Sequence, residues 1–364
     1  MADTLRRTRL QLTLAVAVVI AAPAASMLAS FGSAAASTAS IWGYALADNA
    51  TATDYTPNLA YQRQSNALHV TIHRSGMGEY RVTFPGLASS ANGGVVQVTQ
   101  EGSAIDASCQ SNGWSASGAD VVAGVICFDG SGSPYGGTPD DMYFDIVYTV
   151  GAGTIPLAYA WDNLPTTSGN VASFWSFDGK GGTISSSHNA TGDYYVTIPN
   201  LAGANGTVKV TPYGPNPAFC SVVRWGSGTV HVSCTDAVGN PKDVPFNITF
   251  ANGVPLTGAS NHKNGYLWNY VVNRTYSASG PYLFDSAGGS VSVEYFGTGA
   301  YRVRFGGIKQ NHGDVQVTAY GNGGTFCTSG GWSAGASVEK VDVYCFSVTG
   351  PFVADSRFTL QWFM

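Results

Sequence analysis

The sequence predicts an all-β fold: three tandem β-sandwich repeats, Ig-like or jelly-roll-like, of about 107 residues, each with one internal disulfide. Three observations predict it. First, a glycine-led strand occurs three times, as Gly78-Glu79-Tyr80-Arg81-Val82-Thr83-Phe84, Gly192-Asp193-Tyr194-Tyr195-Val196-Thr197-Ile198 and Gly299-Ala300-Tyr301-Arg302-Val303-Arg304-Phe305. Its Tyr, Val and Phe or Ile alternate, the period of a strand with one buried face. Second, the six cysteines fall two to a repeat. Third, the 364 residues include 46 glycines, and only 11% are charged, against about 25% in an average soluble domain. That composition suits strands joined by turns.

Met1–Ala36 reads as a secretory signal. Arg6, Arg7 and Arg9 precede an apolar run from Leu10 to Ala25, and Ala34-Ala35-Ala36 offers a cleavage site. The run is short and broken by Pro23, which argues against a transmembrane helix. Arg6-Arg7 also raises a twin-arginine route, although the residues after it fit that pattern poorly. No cysteine follows the cleavage site to take a lipid, and Leu164-Pro165-Thr166-Thr167 lacks the tail of a wall-sorting signal. A freely secreted, extracellular product is expected. Without the signal's three arginines and one aspartate the net charge moves from −5 to −7. The remaining basic residues are scattered, so neither nucleic acid nor an anionic membrane is an expected partner.

Repeat 1 (37–152) opens with Trp42-Gly43-Tyr44, repeat 2 (153–258) with Tyr159-Ala160-Trp161, and repeat 3 (259–364) with Tyr266-Leu267-Trp268. A second strand is placed at Tyr61, Phe177 and Phe284, and a third seven residues later at Leu68, Ile184 and Val291. A constant step across turns reads as hairpin register. The Tyr strand is fourth. Val96-Gln97-Val98-Thr99, Val208-Lys209-Val210-Thr211 and Val315-Gln316-Val317-Thr318 form the fifth, followed by two Cys strands and a final strand at Phe144, Phe246 or Phe358. Differences collect in expected loops: Gly130–Gly137 is an insertion, and Pro212, Pro215 and Pro217 precede Cys220. Short linkers, roughly 151–156 and 252–264, imply a rod or a compact cluster.

Repeat symmetry pairs Cys109 with Cys127, Cys220 with Cys234, and Cys327 with Cys345. Closing a loop of that size should stabilise a domain by about 3 kcal/mol. Zinc would need clustered ligands that are missing here. Trp114, Trp225 and Trp332 each lie five residues past the first Cys and read as core indoles packed on the bridge, with a sugar-stacking platform the alternative.

No catalytic constellation, cofactor motif or metal set is legible. Gly331-Trp332-Ser333-Ala334-Gly335 matches a nucleophile elbow as a string, but it sits in a β-repeat with no His after it. His69 and His73, on a strand, are about 13 Å apart; His188, His231, His262 and His312 do not recur. The glutamates Glu79, Glu101, Glu294 and Glu339 occupy no repeated position. Asp141, Asp243 and Asp355 do recur, and read as caps on the turn into the last strand, with calcium ligation the alternative. Sequons begin at Asn49, Asn189, Asn205, Asn247 and Asn273.

The chain resembles uncharacterised tandem β-repeats of exported bacterial proteins. Repeat 3 carries the pattern best, in Val315–Gly321, Cys327, Trp332, Cys345-Phe346 and Asp355-Ser356-Arg357-Phe358; repeat 1 adds Phe84-Pro85-Gly86, and Thr235 departs from it. The resemblance implies export and repeated β-domains and supplies no catalytic residue. The Gly-x-Tyr and Asp-Ser-x-Phe strands are also similar to those of jelly-roll trimer domains, which implies a pseudo-trimeric packing. The expected function is a secreted, non-enzymatic binding or adhesion protein recognising carbohydrate or a cell surface. Trp175 and Tyr282 are the expected ligand residues, with Trp175 set opposite Leu59 and Tyr282. A structural coat or interaction protein is the alternative, and a secreted hydrolase the third reading.

Overall fold

The structure, a computed structural model, describes residues 39–89, 93–102, 107–129, 137–199, 205–349 and 353–364. The expected signal and nearly all of the Gly130–Gly137 insertion lie outside them. Residues 37–364 form one compact unit, and it is all-β. Among the described residues, 41–150 supply β1 (Ile41–Ala47), β2 (Asp54–Tyr55), β3 (Gln62–Gln64), β4 (Thr71–Gly76) and β5 (Glu79–Phe84). Then come β6 (Val95–Glu101), β7 (Ala107–Ser117), β8 (Asp120–Asp129) and β9 (Tyr143–Val150). Residues 157–251 supply β10 (Leu157–Asp162), β11 (Gly169–Asn170), β12 (Ser176–Asp178), β13 (Ser185–Ala190) and β14 (Asp193–Thr197). They continue with β15 (Thr207–Pro212), β16 (Phe219–Gly226), β17 (Thr229–Thr235) and β18 (Phe246–Ala251). Residues 264–363 supply β19 (Asn264–Asn269), β20 (Tyr276–Ser277), β21 (Leu283–Asp285), β22 (Val291–Gly297) and β23 (Ala300–Gly306). The last are β24 (Asp314–Tyr320), β25 (Thr325–Ala334), β26 (Val338–Ser347) and β27 (Arg357–Phe363).

Pairing follows one plan in all three stretches. One layer runs β2-β4-β5-β8-β7, then β11-β13-β14-β17-β16, then β20-β22-β23-β26-β25. The other runs β3-β1-β9-β6, β12-β10-β18-β15 and β21-β19-β27-β24. A separate apolar core fills each stretch, around Tyr80, Val82 and Phe84, around Tyr194, Val196 and Ile198, and around Tyr301, Val303 and Phe305. Each disulfide links residues directly opposite on neighbouring strands, Cys109–Cys127, Cys220–Cys234 and Cys327–Cys345, with Cα atoms 4.0–4.1 Å apart.

Two contacts explain the recurring motifs. Gly78, Gly192 and Gly299 turn with φ of +69°, +67° and +69°, a region that glycine enters freely. Their N–H groups donate to Asp141, Asp243 and Asp355 at 2.9, 2.7 and 2.8 Å. The Tyr80, Tyr194 and Tyr301 hydroxyls lie 3.2–3.3 Å from the same carboxylates and accept from the N–H groups of Met142, Val244 and Ser356. The Gly-x-Tyr and Asp-x-x-Phe motifs are thus two halves of one lock. Threonine supplies the second contact. Thr211 Oγ1 accepts from Val98 N–H at 3.1 Å, Thr318 Oγ1 from Val210 at 3.0 Å, and Thr99 Oγ1 from Val317 at 3.0 Å. Every one of these bonds joins one stretch to another and is buried, which satisfies edge amides that would otherwise be orphaned.

The sheets also continue from stretch to stretch. Ser111 bridges Tyr213, Val222 bridges Tyr320 and Ser329 bridges Glu101, all parallel. Beside each bridge the N–H of Gly214, Gly321 or Gly102 donates to the carbonyl of Ser111, Val222 or Ser329, at 2.9, 3.0 and 2.8 Å. First meets second, second meets third, and third meets first, so the joints close on themselves.

Strand register corrects the alignment expected for the first stretch. Ala45 pairs with Gln62, Ala160 with Ser176 and Leu267 with Leu283, which places Arg63 with Phe177 and Phe284. Val70, fully buried, therefore matches Ile184 and Val291, while Leu68 is 50% exposed. The seven-residue step survives; it starts two residues later, where an arginine hides the aromatic pattern.

Replacing Tyr194 with Phe should leave the Val244 amide buried without its acceptor and cost about 1–3 kcal/mol. A urea midpoint lowered at constant m-value is the expected result.

Candidate functional site

The three joints collect the aromatic side chains. In a regular strand, residues five apart point to opposite faces. A register shift between Ser111 and Trp114 reverses this, and shifts follow Val222 and Ser329 before Trp225 and Trp332. Such bulges re-aim a side chain, so each Trp returns to the face that carries its Cys. Trp114 is buried in its own core and also meets Trp161, Trp175 and Tyr213 of the next stretch, with ring centroids 5.8, 5.3 and 6.0 Å away. Trp225 meets Trp268, Tyr282 and Tyr320 in the same way, at 5.9, 5.4 and 5.6 Å. Such edge-to-face pairs each add about 0.5–1.5 kcal/mol beyond the area they bury.

The third joint is built differently. Trp332 meets Tyr61 at 5.7 Å, so Tyr61, not Leu59, is the counterpart of Trp175 and Tyr282. The Trp161 and Trp268 position, however, holds Leu46, and the Tyr213 and Tyr320 position holds Glu101. Burial pushes the Glu101 carboxyl up to about 7.

Trp175 and Tyr282 are therefore matched residues at joints. Trp175 is half-buried among Trp114, Trp161 and Phe174, and Gly93 leaves the space its ring takes. Tyr282 also opens on a groove. Leu267, Trp268, Tyr270, Ser279, Tyr282 and Leu283 line a recess of about 160 Å³. Trp268 stands 5.1 Å from Tyr282 and 5.7 Å from Tyr270, ring centre to ring centre, and Tyr270 is 40% exposed. Tyr270 carries no repeat signal, since Asp48 and Asn163 occupy its position; only the fold brings it beside Tyr282.

Other polar candidates are engaged elsewhere. Arg74 makes a two-point contact with Asp141 at 2.8 and 2.7 Å and holds that carboxyl below the ordinary aspartate range. His188 pairs with Asp243, His231 with Asp193 and His73 with Asp54. Ser333 of the elbow-like string lies on β25, which turns into β26, so the strand-to-helix turn of an elbow is missing there. Among the described residues no three acidic, His or Cys side chains converge on a possible metal position. Asn247 is fully buried and closed to glycosylation, whereas Asn49, Asn189, Asn205 and Asn273 are exposed. No protein-family model, curated protein or solved structure matches the chain.

A Trp114→Ala variant should lose about 3–5 kcal/mol, and amide protection should fall on both sides of the joint, at Ser111 and at Tyr213-Gly214. Loss confined to residues 41–150 would contradict the joint.

Proposed function

We propose that the chain is a secreted, non-enzymatic binding or adhesion protein that recognises carbohydrate at the Trp268–Tyr270–Tyr282 groove. Its frame is read as three tandem β-sandwich repeats, 37–152, 153–258 and 259–364, packed side by side around a common centre. The groove carries this reading. Its volume of about 160 Å³ is below the roughly 300–1,000 Å³ of drug-sized pockets, and suits one sugar ring with the rest of a chain left in solvent. Aromatic faces are electron-rich, so they attract the partly positive C–H groups of a pyranose, while the Tyr270, Tyr282 and Ser279 hydroxyls are available to its hydroxyl groups. Tyr282 rather than Trp175 is the ligand residue, because Trp175 is spent on the joint. Export is supported by the N-terminal pattern of basic, apolar and small residues and by three disulfides, which persist in oxidising compartments. Among the described residues no helix is long and apolar enough to cross a membrane.

Most of the tryptophans lie in joints, which favours a second reading as a structural coat or interaction protein with no small ligand. A glycan and polysaccharide array with the exported chain separates the two. Tyr270→Ala should weaken retention about tenfold, one stacking contact of roughly 1.4 kcal/mol, with an unchanged melting temperature. An empty array together with self-association would replace the lectin-like reading by the coat.

A further inference from the structure

The joint between the third and first stretches holds buried carboxyl groups where the matching positions of the other joints hold uncharged side chains. Asp145 of β9 pairs with Thr99, as Asn247 pairs with Thr211 and Thr359 with Thr318. Asn247 Nδ2 donates across its joint to Val96 O at 2.8 Å, and Thr359 Oγ1 donates to Val208 O at 2.6 Å. Asp145 faces the corresponding strand, β24, and a carboxyl can act as donor there only with a proton on it. Both Asp145 oxygens lack a partner, and the residue is fully buried. On β24 itself stands Asp314, also fully buried, with one oxygen taken by Gln316 Nε2 at 2.9 Å and the other unpartnered. Its counterpart in the second stretch is Thr207.

We infer that Asp145 and Asp314 form a proton-held latch, closed when they carry protons and loosened when both ionise, so that this joint opens before the other two as pH rises. Two like charges out of water cannot both be tolerated. The surroundings give no relief. Glu101 of β6 adds a third carboxyl beside Asp145, and Tyr44 of β1 faces Asp314. Arg63 on β3 reaches Tyr44, and Lys209 of β15, buried as well, donates to Thr207 Oγ1. Burial, and for Asp145 the neighbouring Asp314, hold both carboxyls well above the ordinary aspartate range. The sign follows. Above about pH 4 the unfolded chain has released these protons while the folded chain keeps them, so stability falls as pH rises. Glu101 stands where the other joints carry Tyr213 and Tyr320, so this joint holds an ionisable side chain at a position that is aromatic in both others.

The test is the melting temperature and amide exchange of the full chain from pH 4 to pH 8, beside Asp145→Asn and Asp314→Thr, which install residues already used at the matching positions. The wild type should lose one to two protons' worth of stability across the range. Exchange, corrected for its intrinsic pH dependence, should rise first in 95–101 and 325–334. Each variant should flatten the profile and raise the melting temperature at pH 8. An unchanged pH slope in both variants, or exchange that rises equally at all three joints, would overturn the latch.

Discussion

A strand edge is the constraint on which this structure depends. β6, β15 and β24 each pair with a neighbour on one side only within their own stretch, and leave backbone donors open on the other. The solution is reciprocal. A threonine from the next stretch in the ring accepts the Val N–H, a parallel bridge continues the sheet, and a glycine N–H returns a hydrogen bond to the Cys strand. Three stretches suffice because each supplies one open edge and covers another, and the set leaves none of these edges to solvent. Closed arrangements of this kind remove the edges that invite aggregation. The disulfides then act locally, fastening each Cys hairpin beside the bridge it makes.

Much of this was legible in the residues. The Tyr-x-Val-x-Phe alternation predicted strands with one buried face, and those side chains are the core of each stretch. Asp141, Asp243 and Asp355 were expected to cap the turn into the last strand; each instead accepts from the glycine N–H and tyrosine hydroxyl of a turn about 50 to 60 residues earlier, which no local pattern reveals. The Val-x-Val-Thr motif was visible as a repeat, but its threonine acts about 110 to 220 residues away, beyond any local pattern. The five-residue step from Cys to Trp is visible in the sequence, yet a period of two cannot say where a bulge will turn the ring. Tyr61 is the counterpart of Trp175 and Tyr282, but the aromatic two residues further on, Phe177 or Phe284, is replaced by Arg63, which hides the alignment.

The joints are alike in backbone and unlike in side chains. Two are sealed by four aromatic rings: Trp114 and Trp225 cover their own cores, while Trp161, Trp175, Tyr213 and Tyr320 pack on the core of the preceding stretch. The third exchanges two of those rings for Leu46 and Glu101, adds the buried carboxyls of Asp145 and Asp314, and gains the Trp42–His262 and Tyr44–Phe363 ring pairs. The groove arises at the second joint for a similar reason: Tyr282 serves the joint with one side, and Tyr270 and Trp268 frame the other. The groove is lined by the third stretch alone, and Trp225 of the second backs it through its contacts with Trp268 and Tyr282.

The closed set of joints is most directly tested by residue-resolved hydrogen exchange of the Gly102, Gly214 and Gly321 amides in the native chain. All three lie just past strand ends, where amides of independent tandem domains would exchange at loop rates. Strong protection of all three is the result expected, because each amide donates to the preceding or closing stretch. Loop-like exchange at all three would contradict a closed arrangement and describe three separate domains on a string.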